Sequence, residues 1–449
     1  MQKEEKSPDW RRMNNEVKME QTNKLVPELR FPEFVNDGEW IEDKLGEIAE
    51  IKGRIGYRGY TVADIVSKGK GAITLSPSNF YDNGTLDFEK CTYITWEKYE
   101  ESPEIQLEEG QTVLVKTASV GKSAYVEKLP EKATINPQIV VLKPKKIHNK
   151  FLSYTILHDN IQNQIKSCVG AGAIPNLSQD SISKFKILLP SDSEVIEQQK
   201  IADCLTSLDE LITAHNDKLE ALKNHKKALL QNLFPQDGQK VPNYRFPEFV
   251  NDGEWETTTV ANNCNVKGRI GFRGYTKEDL VSKEKGVFVI GGKHIQNQML
   301  DLSDPTYLSW DKYYESPEIM VELNDIVFSQ RGTLGDCAII DVKIGEATIN
   351  PSMVLLKKIK CNPRFLYYIL IGEKIQNEVA KSRTSAAIPM LSQKQIKEFS
   401  FYIPNPKEQQ RIADCLMAVD SLITAQTEKI EQLKAHKKGL MQGLFPKID

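Results

Sequence analysis

Residues 201–235 read IADCLTSLDELITAHNDKLEALKNHKKALLQNLFP, and residues 412–446 read IADCLMAVDSLITAQTEKIEQLKAHKKGLMQGLFP. From Glu194 to Leu233 the chain has neither proline nor glycine, so nothing local interrupts a helix. Apolar residues recur at Ile201, Leu205, Leu208, Ile212, Leu219 and Leu222, and continue to Leu229 and Leu233. With His215 and Lys226 in the two gaps, the spacing is an unbroken alternation of four and three, the seam of a coiled coil. The second stretch keeps the register with Ile412, Leu416, Val419, Ile423, Ile430 and Leu433, and its polar interruptions, Gln426 and Lys437, match those of the first. Two seams this narrow and this well matched predict that the helices pair with each other. The other reading is two amphipathic helices, each resting on its own core.

Outward from the helices, the whole chain repeats. RFPEFVNDGEW occurs at 30–40 and 245–255, and KGRIGYRGYT at 52–61 returns as KGRIGFRGYT at 267–276. SPEI recurs at 102–105 and 316–319, ATINP at 133–137 and 347–351, and AIP-x-LSQ at 173–179 and 387–393. A duplication this long makes a two-copy protein rather than a solenoid, whose repeats are far shorter. The predicted organisation is a polar leader over 1–28, a globular domain over 29–190, a helix over 191–235 and a linker over 236–244. A second domain over 245–404 and a second helix over 405–446 follow. Short β-branched runs such as TVLVK (112–116) and the amphipathic FLSYTILHDNIQNQIK (151–166) mark each domain as mixed α+β.

Connectivity predicts the direction of pairing. A helix of ~38 residues is ~55 Å long, whereas the nine residues between Pro235 and Arg245 span at most ~30 Å. The second domain therefore starts at the C-terminal end of the first helix and finishes where the second begins. Antiparallel helices bring those ends together, as compact domains prefer. The expected layout is pseudo-twofold and nearly circular, with residues 444–446 close to residue 26.

Composition narrows the class. The 449 residues are 40% hydrophobic and 27% charged, enough apolar content for real cores. No run approaches the ~18 apolar residues of a membrane span, and the N-terminal segment has no apolar signal core, so a cytoplasmic location is expected. Seven dispersed cysteines without a CxxC pair read as reduced thiols, with no metal site. The net charge of −3 argues against nucleic acid as a partner unless charge is segregated by face. There is no GxxxxGK[ST] loop and no HxH or HExxH spacing. Asn136-Pro137 and Asn350-Pro351 continue as Gln-Ile and Ser-Met, unlike the NPPF or DPPY tetrad of adenine methyltransferases.

The order and duplication of these motifs resemble the specificity subunit of type I restriction–modification enzymes. The likeness runs from Leu29 to Pro446 and includes VPELRFPEF, KGRIGYRGYT, GQTVLVKTASVGKSA with NDIVFSQRGTLGDCA, ATINP, IPNLSQDSISKFKILLP and the helices. The resemblance implies two target recognition domains, each reading half of a split double-stranded DNA site, and spacer helices that dock modification subunits. It implies no catalysis and no cofactor in this chain. S-adenosylmethionine, ATP and Mg would belong to the methyltransferase and motor/nuclease subunits. The alternative class is a pseudo-twofold protein–protein scaffold without DNA readout.

Candidate DNA contacts fall into two groups. Lys52, Arg54, Tyr57 and Arg58, with Lys267, Arg269, Phe272 and Arg273, are common to both copies, which suits phosphate or shared-base contact. The other reading is a glycine-rich turn with solvated arginines. Discrimination is expected where the copies differ within a shared frame. In the first copy those positions are Ser76, Ser78, Asn79, Lys116, Thr117, Ser119 and Lys122. In the second they are Lys293, His294, Gln296, Gln330, Arg331 and Thr333, and ordinary surface variation is the alternative for each. Trp40, Trp255, Trp96 and Trp310 read as core anchors.

Overall fold

The computed structural model describes residues 25–169, 175–191, 195–383 and 389–447. The expected leader lies outside them up to residue 24. Its end does not: Leu25 packs on the first core and accepts a backbone hydrogen bond from Trp40. The chain forms two compact units, one of residues through Ala214 with those from Ile430, the other His215–Lys429. The division falls within the long helices α1 (Ile196–Asn232) and α2 (Pro406–Leu444), so each unit is a globular domain plus part of both helices.

In the first unit the strands are β1 (Ile41–Lys44), β2 (Ala49–Gly53), β3 (Ile65–Val66), β4 (Ala72–Leu75), β5 (Thr92–Ile94), β6 (Thr112–Val115), β7 (Ser123–Tyr125), β8 (Ala133–Ile135), β9 (Ile139–Pro144) and β10 (Lys186–Leu189). They make an antiparallel sheet in the order β2-β9-β6-β7, a mixed sheet β3-β5-β4-β8 and the pair β1-β10. Alternation along the central strands feeds two cores, because successive side chains leave a strand on opposite faces. Leu114, Val140 and Leu142 join Trp40, Phe151 and Leu152 under the helices. Val113, Val115, Ile139 and Val141 face Ile73, Leu75 and Ile135 of the other sheet.

The second unit repeats this with β11 (Glu256–Thr259), β12 (Asn265–Gly268), β13 (Leu280–Val281), β14 (Gly286–Ile290), β15 (Ile295–Gln296), β16 (Met299–Leu300), β17 (Tyr307–Ser309), β18 (Ile326–Ser329), β19 (Cys337–Ile339), β20 (Ala347–Ile349), β21 (Met353–Lys357) and β22 (Ser400–Ile403). The orders β12-β21-β18-β19, β13-β17-β14-β20 and β11-β22 match strand for strand, and the hairpin β15-β16 is an addition.

Both units hold their helix segments alike. Tyr154 donates its hydroxyl to Asp209 at 2.8 Å, and Asp209 takes Lys437 at 2.6 Å. Tyr368, Asp420 and Lys226 form the same triad in the second unit at 2.7 and 2.6 Å. There His215 also meets Gln426, whose amide donates to the imidazole Nδ1 and the His215 carbonyl, both at 2.7 Å. Residues 215 and 226 thus face 426 and 420, and the strands of the coil run antiparallel. The seam residues sit on the covered side: Ile201, Leu205, Ile412, Leu416, Val419, Ile430 and Leu433 are buried, and Leu208, Ile212, Leu219, Leu222 and Ile423 half-buried.

The segment before each domain is tied to a helix start by a buried pair. Arg30 grips Glu197 through Nε and Nη2 at 2.8 and 2.7 Å, and Arg245 grips Glu408 at the same distances. The helix ends complete the domain cores. Phe445 packs on Trp40 in the first unit, where Leu29 also donates to the Gly443 carbonyl, and Phe234 packs on Trp255 in the second. One difference follows: His158 stacks on Phe445 at 4.9 Å, whereas its counterpart Gly372 leaves a cavity of about 660 Å³ beside Phe234, Tyr368 and Tyr402.

Candidate nucleic-acid interface

The repeated motifs converge on one internal node in each domain. Arg54, from KGRIGYRGYT, is buried and donates to the Ile135 carbonyl at 3.1 Å, to Thr134 Oγ1 at 3.3 Å and to the Arg58 carbonyl at 3.3 Å. Thr134, from ATINP, donates in turn to the Ile105 carbonyl of SPEI. Arg269 repeats this with Ile349, Thr348, Arg273 and Ser316. Burial pulls both guanidinium pKa values below the ordinary arginine range, against the pull of Tyr60 and of Tyr275. Arg54 and Arg269 are therefore corrected from DNA contacts to struts: their donors are turned into the chain, and reaching a phosphate would leave buried carbonyls without partners. Nor are they solvated arginines on a turn.

Elsewhere in the decamer Ile55, Gly56 and Thr61 are exposed, as are Ile270, Gly271 and Thr276. Arg58 is held by Glu104 at 3.6 Å and Arg273 by Glu318 at 3.4 Å, all four half-buried. Lys52 pairs with Glu50 at 2.8 Å, and Lys267 is exposed. Tyr57 and Phe272 lie in the short turns Gly56–Arg58 and Gly271–Arg273, their side chains outside the described set. Gly56 and Gly271 have ordinary negative φ, and a Cβ on either would meet nothing within 4 Å.

Two windows that differ between the copies lie together in space. The loop after β4 and the β6–β7 loop are clasped by Lys122 on Asp82 at 2.7 Å. In the second unit Gln298 joins them, donating to Asp336 at 3.3 Å and accepting from the Cys337 amide at 2.9 Å. Ser78, Ser119, Lys293, Gln296, Arg331 and Thr333 are exposed there, and Ser76, Lys116, Thr117, Lys122 and Gln330 are half-buried. Lys293 rests on Asp304 at 2.6 Å.

Asn79 and His294 are a second correction. They occupy the same buried position, where Asn79 Oδ1 accepts from the Ser76 amide and His294 Nδ1 from the Gly291 amide, each at 2.9 Å. On the far side Asn79 donates to the Asp87 and Lys90 carbonyls, and His294 Nε2 lies 3.0 Å from the Asp304 carbonyl. Accepting at one nitrogen requires the neutral imidazole, and burial lowers its pKa from 6.5 accordingly. Both side chains brace the loop from within.

A third segment, outside the contacts expected from sequence, joins the windows. Thr117 pairs with Asn176 and Arg331 with Met390 in matching isolated bridges. Thr117 donates to Asn176 Oδ1 at 2.9 Å, and Arg331 Nε lies 2.8 Å from Met390 Sδ. The available signal was the one variable residue inside AIP-x-LSQ. Trp96 and Trp310, expected in cores, are 42% and 38% exposed and meet Tyr99 and Tyr313 edge-on at 5.9 Å. Among the described residues no group of three or more His, Cys, Asp or Glu could hold a metal ion, and no helix is long and apolar enough to cross a membrane.

The family described as type I restriction modification DNA specificity domain matches residues 38–224 and 252–435. The type I restriction enzyme MjaVIII specificity subunit of Methanocaldococcus jannaschii is 24% identical over 327 residues, 71% of this chain and 74% of that protein. In fold, the chain is similar to the type I restriction–modification S subunit from M. genitalium, with a TM-score of 0.58 and 16% identity over 94% of this chain and all of that one. It also matches a structure from work on complex assembly and conformational transition of the type I R-M system, at a TM-score of 0.55 and 15% identity over 90% and 97% of the two chains.

Proposed function

Because the chain belongs to the type I restriction–modification DNA specificity family, we propose that it reads a split duplex target, one half-site per globular domain, and directs adenine methylation or restriction by partner subunits. The observation that carries this reading is the division of each domain into a shared scaffold and a variable surface. Motifs common to both copies are turned inward at the Arg54 and Arg269 nodes. Residues that differ are gathered on loops at one end of the sheets, where recognition residues tend to sit. Gly56 and Gly271 support the same reading. Neither torsion nor packing within the chain demands glycine there, which fits close approach of a phosphate backbone from outside. Arg58, Arg273, Lys52 and Lys267 would supply charge beside it, and Tyr57 and Phe272 stand in the same turns. The loop side chains from Ser76 to Lys122 and from Lys293 to Thr333 would contact bases or adjacent phosphates, leaving out Asn79 and His294.

The family assigns chemistry to the methyltransferase and restriction subunits, and this chain supplies recognition. S-adenosylmethionine, ATP and Mg belong to those partners in this reading, and the assembly acts in the cytoplasm. Helices α1 and α2 each contribute to both units, which supports a ruler role between half-sites. Inserting about four residues in each helix, ~6 Å, would lengthen the accepted gap, and an unchanged gap would remove the ruler role.

The test is a genome-wide map of N6-methyladenine in cells carrying this chain and its modification partner. A split motif with one methylated adenine per half, on opposite strands, is expected. No chain-dependent methylation beside an active partner would favour a scaffold without DNA readout. Exchanging residues 29–190 for another recognition domain separates the two readings, since only a reader would change one half of the motif.

A further inference from the structure

We propose that Asn176 and Met390 are specificity-determining residues, each reading one base of its half-site together with its cross-bridge partner, Thr117 or Arg331; the inference rests on the reading just given.

In Pro-x-Leu-Ser-Gln, over 175–179 and 389–393, the leucine, serine and glutamine each have a structural task in both copies. Leu177 and Leu391 are buried. Ser178 and Ser392 cap the following helices, accepting from the Ser181 and Gln395 amides. The Gln179 and Gln393 amides pack against Gly53 and Gly268 so closely that a Cβ on either glycine would lie 2.8 or 2.7 Å away. The backbone next to the variable position is pinned in each copy: Leu177 donates to the Lys116 carbonyl at 2.8 Å, and Leu391 to that of Gln330 at 3.0 Å. The variable position is exposed, Asn in one copy and Met in the other. It has no core role, and its bridge sets it against the variable loop on which the other candidate readers sit.

The two couples differ in chemistry in a way that maps onto bases. Thr117 fixes the Asn176 amide by its bond to Oδ1, and a carboxamide matches the N6/N7 edge of adenine. Met390 holds Arg331 through Nε, and a guanidinium so anchored matches O6/N7 of guanine. One position is therefore adenine in the half read by the first domain and guanine in the half read by the second.

The experiment maps N6-methyladenine for the wild type, Asn176→Ala, Thr117→Arg with Asn176→Met, and Arg331→Thr with Met390→Asn, each with the modification partner. Asn176→Ala is expected to relax one position of one half-site, weakening the preference about 10-fold or more. The paired exchanges should move that position to the base of the opposite half and leave the other half unchanged. A wild-type motif retained by all variants, or a change in both halves, overturns the inference. If an exchange abolishes methylation, Asn176→Ala decides, since it removes one surface hydrogen bond. Failure of the underlying reading is distinct: the wild type itself would give no split motif.

Discussion

Replacing Glu197 by glutamine tests how the domains are fastened to the helices. Both carboxylate oxygens of Glu197 take Arg30 donors at 2.8 and 2.7 Å, and Arg30 Nη1 also donates to the Gly38 carbonyl at 2.6 Å. The side chains are only 5% and 1% exposed, so solvent screens the pair little. The substitution keeps the shape but sets a neutral amide against the buried guanidinium where the Glu197 carboxylate stood. Breaking a buried pair from one side costs about 3–5 kcal/mol. For a unit of this size a kilocalorie is worth about 2–4 °C, so the melting temperature of the first unit should fall by roughly 6–20 °C. Arg30→Met with Glu197→Leu removes both charges and should lie within about 1 kcal/mol of the wild type or above it. The assay is urea and thermal unfolding followed by Trp40 fluorescence, with the other four tryptophans changed to phenylalanine. A cost below about 1 kcal/mol for Glu197→Gln, the range of exposed pairs, would refute the reasoning. So would a double variant as unstable as the single one.

Burial holds His294 neutral, against the pull of the Asp304 carbonyl and the charges of Asp304 and Asp301, while Lys293 adds to the lowering. The unfolded chain takes up a proton near pH 6.5 and the folded one only at lower pH. This contribution to stability is therefore present above pH 6.5 and lost as pH falls through the folded pKa. His294→Asn, which copies Asn79, should flatten the fall in melting temperature of the second unit between about pH 7.5 and 5; an unchanged profile refutes the assignment. Gly372→His restores the ring seen at His158, whose φ and ψ of −69° and 149° nearly equal the −68° and 154° of Gly372. Stacking on Phe234 and a stiffer unfolded chain favour the second unit by about 1–2 kcal/mol, opposed by the 3.2 Å approach of the new Cβ to the Tyr368 and Ile369 carbonyls, so a modest rise in the urea midpoint is expected; no gain counts against it. Arg54→Ala should lower the melting temperature of the first unit, whereas Arg58→Ala should chiefly reduce the salt dependence of DNA binding, its log–log slope falling by about 1. The reverse pattern would return Arg54 to the interface.

What was legible in the sequence was what repeats locally. The four-and-three spacing marks the covered side of α1 and α2, including His215 and Gln426, because the period of a helix is fixed by its backbone. Antiparallel direction followed from a nine-residue linker, which is simple geometry. The roles of Arg54 and Arg269 were not legible, since the acceptors that draw them inward lie about 80 residues away on β8 and β20 and nothing in KGRIGYRGYT points to those. Trp96 and Trp310 misled because a tryptophan at the first turn of a short helix can lie along the surface against a neighbouring tyrosine. Asn79 and His294 looked like readers because they differ between the copies. Yet they differ by a substitution that keeps an acceptor on one side and a donor on the other.

The core of the first domain has a temporal consequence. Its aromatic centre joins Trp40 and Phe151 to Phe445, and Leu444 lies in the same cluster. A ribosome adding about 5–20 residues per second reaches Phe445 roughly 13–50 s after Leu189, the last strand residue of that domain. During that interval the first domain must wait with an open seat beside Trp40, while the second domain acquires Phe234 before most of itself is made. The domain translated first is thus the last to close, and a nascent chain arrested in that interval would present its unfinished core to chaperones and proteases.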